Sequence, residues 1–448
     1  MNEERELQRP HDDFSKWLKA DNSKLNWDAK HLRHIITKLD EVSLGICKRL
    51  MIFLPPRHGK SELVTMRYVA WRIAVDPTLN VIVGSYNQKL ANGFSRRIKQ
   101  IVGEFRTIAA DRRAIDEWET TERGGVKAVG IGAGITGFGG KLVVIDDPVK
   151  SRSHAESIVR REGLWDWFND DIYTRLEPDA TVIIIQTRWH EDDLAGRLLG
   201  REHENGDQWE VIDLPALARE TDALGRKPGE ALWPDRFSVD RLQKIKRQLG
   251  SYSFASLYQQ EPMPRSGGMF KREWFSRIVA AAPFGLRWAR GYDLAVSTKD
   301  SADYTASFRC AFGPDGTLYI ADGFRDRIEY PEQRRYIVER LVRERNTEHG
   351  VESALHGSAI VQDLTNNVRT RGRPIRSVRV DNDKWTRALA WSPLAEAGKI
   401  ALVRGSWNDE FIAEAAAFPR GRHDDQIDAV SLAVQMLSAK TKAMTSFR

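Results

Sequence analysis

Two α/β domains joined by a smaller connector is the fold class predicted by this 448-residue sequence. Three observations lead there. Short apolar runs alternate with helical patterns across residues 49–200, the signature of a parallel sheet with helices on both faces. Polar sequence punctuated by Gly and Pro interrupts that pattern over residues 201–268. Strand-like runs then resume and end in a long apolar helix. A chain of this length also exceeds what a single core organises.

In the first domain, residues 1–200, strands are expected at Arg49–Leu54, Val81–Ser85, Leu142–Ile145 and Thr181–Gln186. Helices are expected between them, at Ser61–Val75 and Gln88–Val102. Such a sheet gathers ligands at the carboxyl ends of its strands. The connector, residues 201–268, reads as a lid and carries Lys227-Pro228-Gly229, Trp233-Pro234 and Ser266-Gly267-Gly268. The second domain is placed at residues 269–440. Arg287–Leu294, Thr305–Phe312 and Thr317–Ala321 read as successive strands, the last two turned by Gly313-Pro314-Asp315-Gly316. A helix over Tyr330–Arg345 follows, then strands near Gly350–Ser353, Ile375–Val380 and Ile400–Leu402, and a helix from Asp424 to Ala439. Residues 441–448 read as a flexible basic tail.

Composition narrows the class. Hydrophobic residues make up 41% of the chain, enough to build cores, so it is globular rather than disordered. No apolar stretch approaches the roughly 20 residues that cross a bilayer. The start, Met1-Asn2-Glu3-Glu4-Arg5, lacks the apolar core of a secretion signal, so no export is expected. Cys47 and Cys310 are the two cysteines, too few for a disulfide framework or a Cys-based zinc site, which fits a reducing cytoplasm. A net charge of +6 leans towards a polyanion partner. Basic residues cluster at Arg96, Arg97 and Lys99, at Arg152, Arg160 and Arg161, at Arg241, Lys244, Lys246 and Arg247, and at Arg369, Arg371, Arg373 and Arg376. A merely solvated basic face explains the charge equally well.

The first chemical signal is Leu54-Pro55-Pro56-Arg57-His58-Gly59-Lys60-Ser61-Glu62, a phosphate-binding loop between a strand and a helix. Such a loop, here Pro56–Glu62, surrounds phosphates at a helix N-terminus with its backbone N–H groups, which begin at Arg57 because proline has none. Gly59 allows close approach, Lys60 reaches the β/γ-phosphates and Ser61 ligates magnesium. The common pattern has glycine where this chain has Leu54. The second signal is Leu142-Val143-Val144-Ile145-Asp146-Asp147, a buried strand ending in two acids. Asp146 is expected to hold magnesium, and Asp147 to orient or deprotonate the attacking water. Thr187, after the strand Thr181–Gln186, is expected to sense the γ-phosphate and couple hydrolysis to movement. Arg57 is the candidate for stabilising transition-state charge.

The third signal is a set of distant carboxylates. Asp293 ends a strand, and Glu352 follows His349-Gly350-Val351. Asp424, Asp425 and Asp428 open the last helix, whose Ile427, Val430, Val434 and Leu437 point inward. Acids in a first helical turn also favour the helix dipole, so capping is a second reading for Asp424. Asp425 and Asp428 are three apart and share a side of the helix. Carboxylates from several elements can hold two hard cations about 4 Å apart, one activating water and the other steadying the leaving oxygen. Oxygen-only ligands argue for magnesium or manganese rather than zinc. His423 reads as a supporting group or simply as a residue leading into the helix.

These residues resemble the large terminase subunit of tailed double-stranded DNA bacteriophages, over nearly the whole chain. The resemblance rests on Met51–Glu62, Gly134-Ile135-Thr136-Gly137 with Ile145-Asp146-Asp147-Pro148, and Gln186-Thr187-Arg188-Trp189-His190. It continues through Leu232-Trp233-Pro234, Tyr258-Gln259-Gln260-Glu261-Pro262, Tyr292-Asp293-Leu294-Ala295 and Ala302-Asp303-Tyr304-Thr305. It ends with Lys384-Trp385-Thr386-Arg387 and with Phe418-Pro419 through His423-Asp424-Asp425 to Asp428-Ala429.

The resemblance implies an ASCE-type ATPase joined to an RNase H-like nuclease. Such a protein pumps DNA through a portal into a procapsid and cuts the concatemer. ATP and Mg2+ are its implied cofactors, with Mn2+ possible at the nuclease site. Its implied partners are double-stranded DNA, the small terminase subunit and the portal protein, with a homo-oligomeric ring, no membrane, and the cytoplasm of a bacterial host as location. It assigns Lys60, Ser61 and Asp146 to nucleotide and magnesium, and makes Asp147, often Glu in relatives, catalytic. It places Asp293, Glu352 and one or more of Asp424, Asp425 and Asp428 at the nuclease metals, with Asp425 and Asp428 favoured. Relatives often carry a trans-acting arginine where this chain has Phe138, so Arg152 or Arg188 serves, or that role is absent. Asp303 and Asp363 read as structural. Two other readings stand beside this one: an ATP-switched packaging or recombination scaffold, and a helicase-nuclease of DNA repair.

Overall fold

Strict alternation of side chains along the central strands feeds two separate cores in the first half of the chain. The computed structural model describes residues 13–20, 25–202, 206–263, 268–295, 304–353, 355–380 and 382–445. The chain divides into two compact units, one of Met1–Lys246 with Tyr252–Met263, the other of Arg247–Ser251 with Pro264–Arg448. Among the described residues, no helix is long and apolar enough to cross a membrane.

In the first unit, strands β1 (Arg49–Phe53), β2 (Asn80–Ser85), β3 (Ile108–Arg113), β4 (Glu117–Thr120), β5 (Gly125–Gly130), β6 (Gly140–Asp146), β7 (Leu176–Gln186) and β8 (Glu210–Asp213) form one sheet. Their order is β3-β4-β5-β2-β6-β7-β1-β8. The strands β5-β2-β6-β7-β1-β8 pair in parallel. Leu50 and Ile52 of β1, Val81 and Val83 of β2, Val144 of β6 and Ile183 and Ile185 of β7 enter one core. Their neighbours Met51, Phe53, Ile82, Val143, Ile145, Val182 and Ile184 enter the other. Period-two alternation in a buried parallel sheet requires apolar residues on both faces, which is why these strands read as continuous apolar runs.

The helices Lys30–Ser43 and Gln88–Val102 close the first core, together with Ser61–Tyr68. That last segment is wound with π-helical bonding and runs on into the helix Val69–Val75. The helices Ile158–Asp166 and Leu194–Arg201 close the second core. Two features were not anticipated from the sequence pattern. One is the antiparallel meander β3-β4-β5, whose outer strand is largely exposed and so shows no apolar alternation. The other is β8, which lies in the stretch read as connector yet pairs with β1.

The second unit has its own sheet of β9 (Ile278–Val279), β10 (Trp288–Asp293), β11 (Thr305–Phe312), β12 (Leu318–Asp326), β13 (Thr347–Glu352), β14 (Ile375–Val378) and β15 (Ile400–Val403). The order is β14-β13-β10-β11-β12-β15-β9. β10, β11 and β12 are antiparallel neighbours, and the remaining pairings are parallel. The terminal helix Asp425–Thr445 packs across β10 and β11. Gly291 makes that possible, since a Cβ there would lie 2.2 Å from the carbonyl oxygen of Ala429. Tyr292 points to the opposite face and packs with Ile337 and Leu341 of the helix Tyr330–Arg343. Asp293 therefore returns to the face covered by the terminal helix.

Candidate functional site

The phosphate loop leaves β1 and enters the π-wound segment at Ser61. Its path needs positive φ at Arg57 (65°) and at Gly59 (90°). The second of these suits glycine, and the first is a strained position for a side chain. Lys60 Nζ lies 2.7 Å from Asp147 Oδ2 and donates to Thr187 Oγ1 at 2.5 Å. The Thr187 hydroxyl in turn donates to the carbonyl of Leu54 at 3.2 Å, and its backbone N–H donates to Asp147 Oδ1 at 2.9 Å. Asp146 accepts from Ser61 Oγ at 3.1 Å and from Thr65 Oγ1 at 2.6 Å.

Burial, reinforced by the negative Asp147 beside it, pushes the Asp146 carboxyl up to about 7, although Thr65, Lys60 and Ser61 all favour its charged form. A cavity of about 890 Å³ opens over these groups, lined by Arg57, Gly59, Lys60, Ser61, Asp147 and Thr187 among others. Pro56 and Glu62 line the same cavity, while His58 is buried behind the loop. Every residue singled out from the sequence for this site thus lies in or directly behind one pocket.

Phe138 belongs to the second core of the first unit. Arg152 stacks on Trp189 and Tyr252 and donates to the Trp189 carbonyl and to Ser256 Oγ. Arg188 pairs with Asp193 at 2.9 Å and lies over the ring of Phe53. Both arginines are thus engaged within their own unit.

In the second unit, Asp293 and Glu352 end the adjacent parallel strands β10 and β13, one step beyond the pair Tyr292 and Val351. Tyr292 and Val351 share the opposite core, so both acids face the terminal helix. Asp425 and Asp428 are buried in the first turn of that helix. Asp293 is held well above the ordinary carboxylate range, first by desolvation and then by the charges of Asp428, Asp425 and Glu352, with Lys384 opposing. Those four acids therefore converge. Asp428 is pushed up to about 6 by burial, against the pull of Arg387 and Lys384.

Arg387 bridges two of the acids, at 2.6 Å from Asp428 and 3.2 Å from Glu352. Lys384 lies 2.6 Å from Asp424 and 3.2 Å from Asp428. Asp424 stands just ahead of the helix, where its carbonyl accepts from the Asp428 backbone N–H at 3.0 Å. The helix start itself is capped by Glu414, which accepts from the backbone N–H of Gln426 at 2.8 Å. His423 Nδ1 stands 3.9 Å from Asp425. Asp363 pairs with Arg334 at 2.5 Å, and Asp303 lies outside the described residues.

Among the described residues, no three His, Cys, Asp or Glu side chains are already set as a metal cage. Lys384 and Arg387 are the cations that pair with three of the surrounding acids, Asp424, Asp428 and Glu352. The donor set still suits a hard divalent cation. It is all oxygen, and the mutual repulsion felt by Asp293 is what such a charge relieves.

Sequence reasoning passed over Thr65, one turn beyond Ser61, and gave Lys384 and Arg387 no role at the site although their segment carries part of the resemblance. The spacing of three between Lys384 and Arg387 was the available signal, since it puts both on one side of a helix.

Comparison with known proteins gives the family of the chain. Two family models match the chain: the N-terminal part of the terminase large subunit, T4likevirus type, over residues 51–277, and the terminase RNaseH-like domain over residues 290–437. No curated protein matches by sequence. The large terminase of the thermophilic bacteriophage D6E is 12% identical over 91% of this chain and 98% of its own, with a TM-score of 0.52. The same D6E protein in complex with ATP-gamma-S is 12% identical over 90% of this chain and 97% of its own, also at 0.52. The HK97 bacteriophage large terminase is 12% identical over 92% of this chain and 95% of its own, with a TM-score of 0.40. A likeness at this identity speaks for the fold, and the family models carry the assignment. The chain belongs to the terminase large-subunit family, with that family's ATPase domain followed by its RNase H-like nuclease domain.

Proposed function

We propose that this chain is the motor and cutting subunit of a viral genome-packaging machine. The first unit hydrolyses ATP to move double-stranded DNA into a procapsid, and the second cleaves concatemeric DNA at a two-metal endonuclease site. The work is done in the cytoplasm of a bacterial host, with the small terminase subunit and the portal protein as partners and a homo-oligomeric ring on the portal.

In the first unit, Lys60 leaves Asp147 to take the β/γ-phosphates, and the freed Asp147 carboxylate accepts a proton from the attacking water. Ser61 and Asp146 would hold magnesium, which would supply neutralising charge to the phosphates. Arg57, which lines the same cavity, stabilises charge in the transition state. Thr187 touches both Lys60 and Asp147, so it registers whether the γ-phosphate is present. The D6E large terminase has been solved with ADP and with ATP-gamma-S, which supports ATP as the nucleotide.

In the second unit, Asp293, Glu352, Asp425 and Asp428 hold the divalent ions, magnesium or manganese, with Asp424 at the rim beside Lys384. Metal held by these acids would supply an activated water and charge to steady the leaving oxygen. The observation that carries the reading is the convergence of acids from β10, β13 and the terminal helix, because an ATP-switched scaffold has no use for it. The test is nicking of supercoiled plasmid by the full chain with Mn2+. Asp425→Asn and Glu352→Gln should each abolish it while leaving ATP hydrolysis in place. Nicking that survives both substitutions would remove the nuclease half of the proposal.

A further inference from the structure

Behind the phosphate loop, away from its cavity, two imidazoles are packed against the backbone. His31, on the helix Lys30–Ser43, is fully buried, as is His58 within the loop. His31 Nε2 lies 3.1 Å from the carbonyl oxygen of His58. His58 Nδ1 lies 2.9 Å from the carbonyl oxygen of Pro56. A carbonyl only accepts, so each of these ring nitrogens carries the hydrogen. The other nitrogen of each ring, His31 Nδ1 and His58 Nε2, is buried with no hydrogen-bond partner among the described residues. Each ring is therefore a neutral imidazole in one defined tautomer.

We infer that His31 is a positioning residue of the nucleotide site, turning the His58–Gly59 peptide so that the Gly59 N–H faces the phosphates. This rests on the nucleotide reading proposed above. In a planar trans peptide the C=O and N–H point in opposite directions. A donor that fixes the His58 carbonyl on the buried side thus aims the Gly59 N–H to the other side. His58 does the same one step earlier. By holding the Pro56 carbonyl, it directs the Arg57 N–H outward.

The loop needs such support because Arg57 sits at φ 65°, a conformation a non-glycine residue holds only when its surroundings impose it. The rings are themselves clamped. Trp233 lies 4.8 Å from His31, and Phe237 stacks on His58 at 4.5 Å. Burial drops His31 to about 3 and His58 to about 4, so neither ring charges under working conditions. His31 precedes the segment matched by the family model, which begins at residue 51.

The experiment titrates the full chain with Mg2+ and ATP-gamma-S by calorimetry. His31→Leu keeps the apolar packing and removes the donor. It should bind about tenfold more weakly, the worth of one hydrogen bond. His31→Gln, whose side-chain amide can donate to the same carbonyl, should recover most of that loss, which a purely structural role would not do. In hydrolysis assays the deficit of His31→Leu should fall on KM rather than kcat.

Lys60→Ala separates this inference from the reading beneath it. If Lys60→Ala loses binding while His31→Leu keeps wild-type affinity, only the His31 inference falls. If Lys60→Ala binds as well as wild type, both fall. Should His31→Leu not fold, ring nitrogen chemical shifts of the wild-type protein decide. A single Nε2–H tautomer for His31 between about pH 5 and 8 is expected, and an Nδ1–H ring would overturn the inference.

Discussion

Crowded carboxylates are stabilised differently in the two units. In the first, Asp146 is held by two neutral hydroxyls, Ser61 at 3.1 Å and Thr65 at 2.6 Å, while Asp147 takes the lysine. In the second, Asp428 takes an arginine at 2.6 Å and a lysine at 3.2 Å, and the same arginine reaches Glu352. Hydroxyls do not compete with a cation, so in the first pocket Asp146 itself is open to one, with Lys60 engaged by Asp147 beside it. The second already contains positive charge that an incoming ion must join or displace. A nucleotide site can wait for its ligand without ill effect, since the ligand brings its own metal. In the second unit the internal cations pair with Asp424, Asp428 and Glu352 and leave Asp293 among like charges.

The largest effect expected along this comparison is Asp147→Asn, which should cut ATP hydrolysis on the order of 10²–10⁴-fold, the usual worth of a general base. Binding of Mg2+ and ATP should persist, because the phosphates lose a competitor for Lys60. Equal hydrolysis by variant and wild type would strip Asp147 of its role.

Next is Arg387→Met, which leaves the buried Asp428 without its closest cation. Roughly 1–3 kcal/mol of the second unit's stability should go, less than for an isolated buried pair because Lys384 still reaches Asp428. Urea unfolding reads this directly. Added Mn2+ should narrow the gap, since an ion bound only by the folded form stabilises it. A gap unchanged by Mn2+ would separate Arg387 from the metal site.

Gly291→Ala should cost about 1–3 kcal/mol by overpacking, because its Cβ would meet the Ala429 carbonyl. It should also slow nicking by moving the terminal helix off β10. Normal nicking in a destabilised protein would show that the acids tolerate that shift.

The smallest expected effect is on pH dependence. Asp146 sits at about 7 in the fold, far above an unfolded aspartate near about 3.9. The native state therefore holds the extra proton between those values. Stability from this group is present below about pH 4 and is lost as pH rises through about 7. Asp146→Asn should flatten that part of the stability profile of the nucleotide-free protein. A profile with the same slope in both would place the titration elsewhere.

Much of the fold was legible in the sequence because the signals are local. Apolar runs such as Leu142–Ile145 followed by acids mark strand ends, and Gly59-Lys60-Ser61 between a strand and a helix marks a phosphate loop. The acids of the second unit were legible one by one, but their convergence depends on Gly291 letting a distant helix close on β10. The strand β8 was hidden because it is short, with a largely exposed pattern. Thr65 gives no signal of its own, since its value lies in facing Asp146 from another element. His31 was invisible for a related reason, as its partner is a backbone carbonyl 27 residues away.

One paired measurement bears most directly on the claim that two separate catalysts share this chain. Phosphate release and plasmid nicking are followed in the same preparations of Lys60→Ala and Asp293→Asn, with Mg2+ and ATP for the first and Mn2+ for the second. Lys60→Ala should nick like wild type and release no phosphate. Asp293→Asn should release phosphate like wild type and nick on the order of a thousandfold more slowly. Wild-type nicking by Asp293→Asn would contradict the assignment of the second unit.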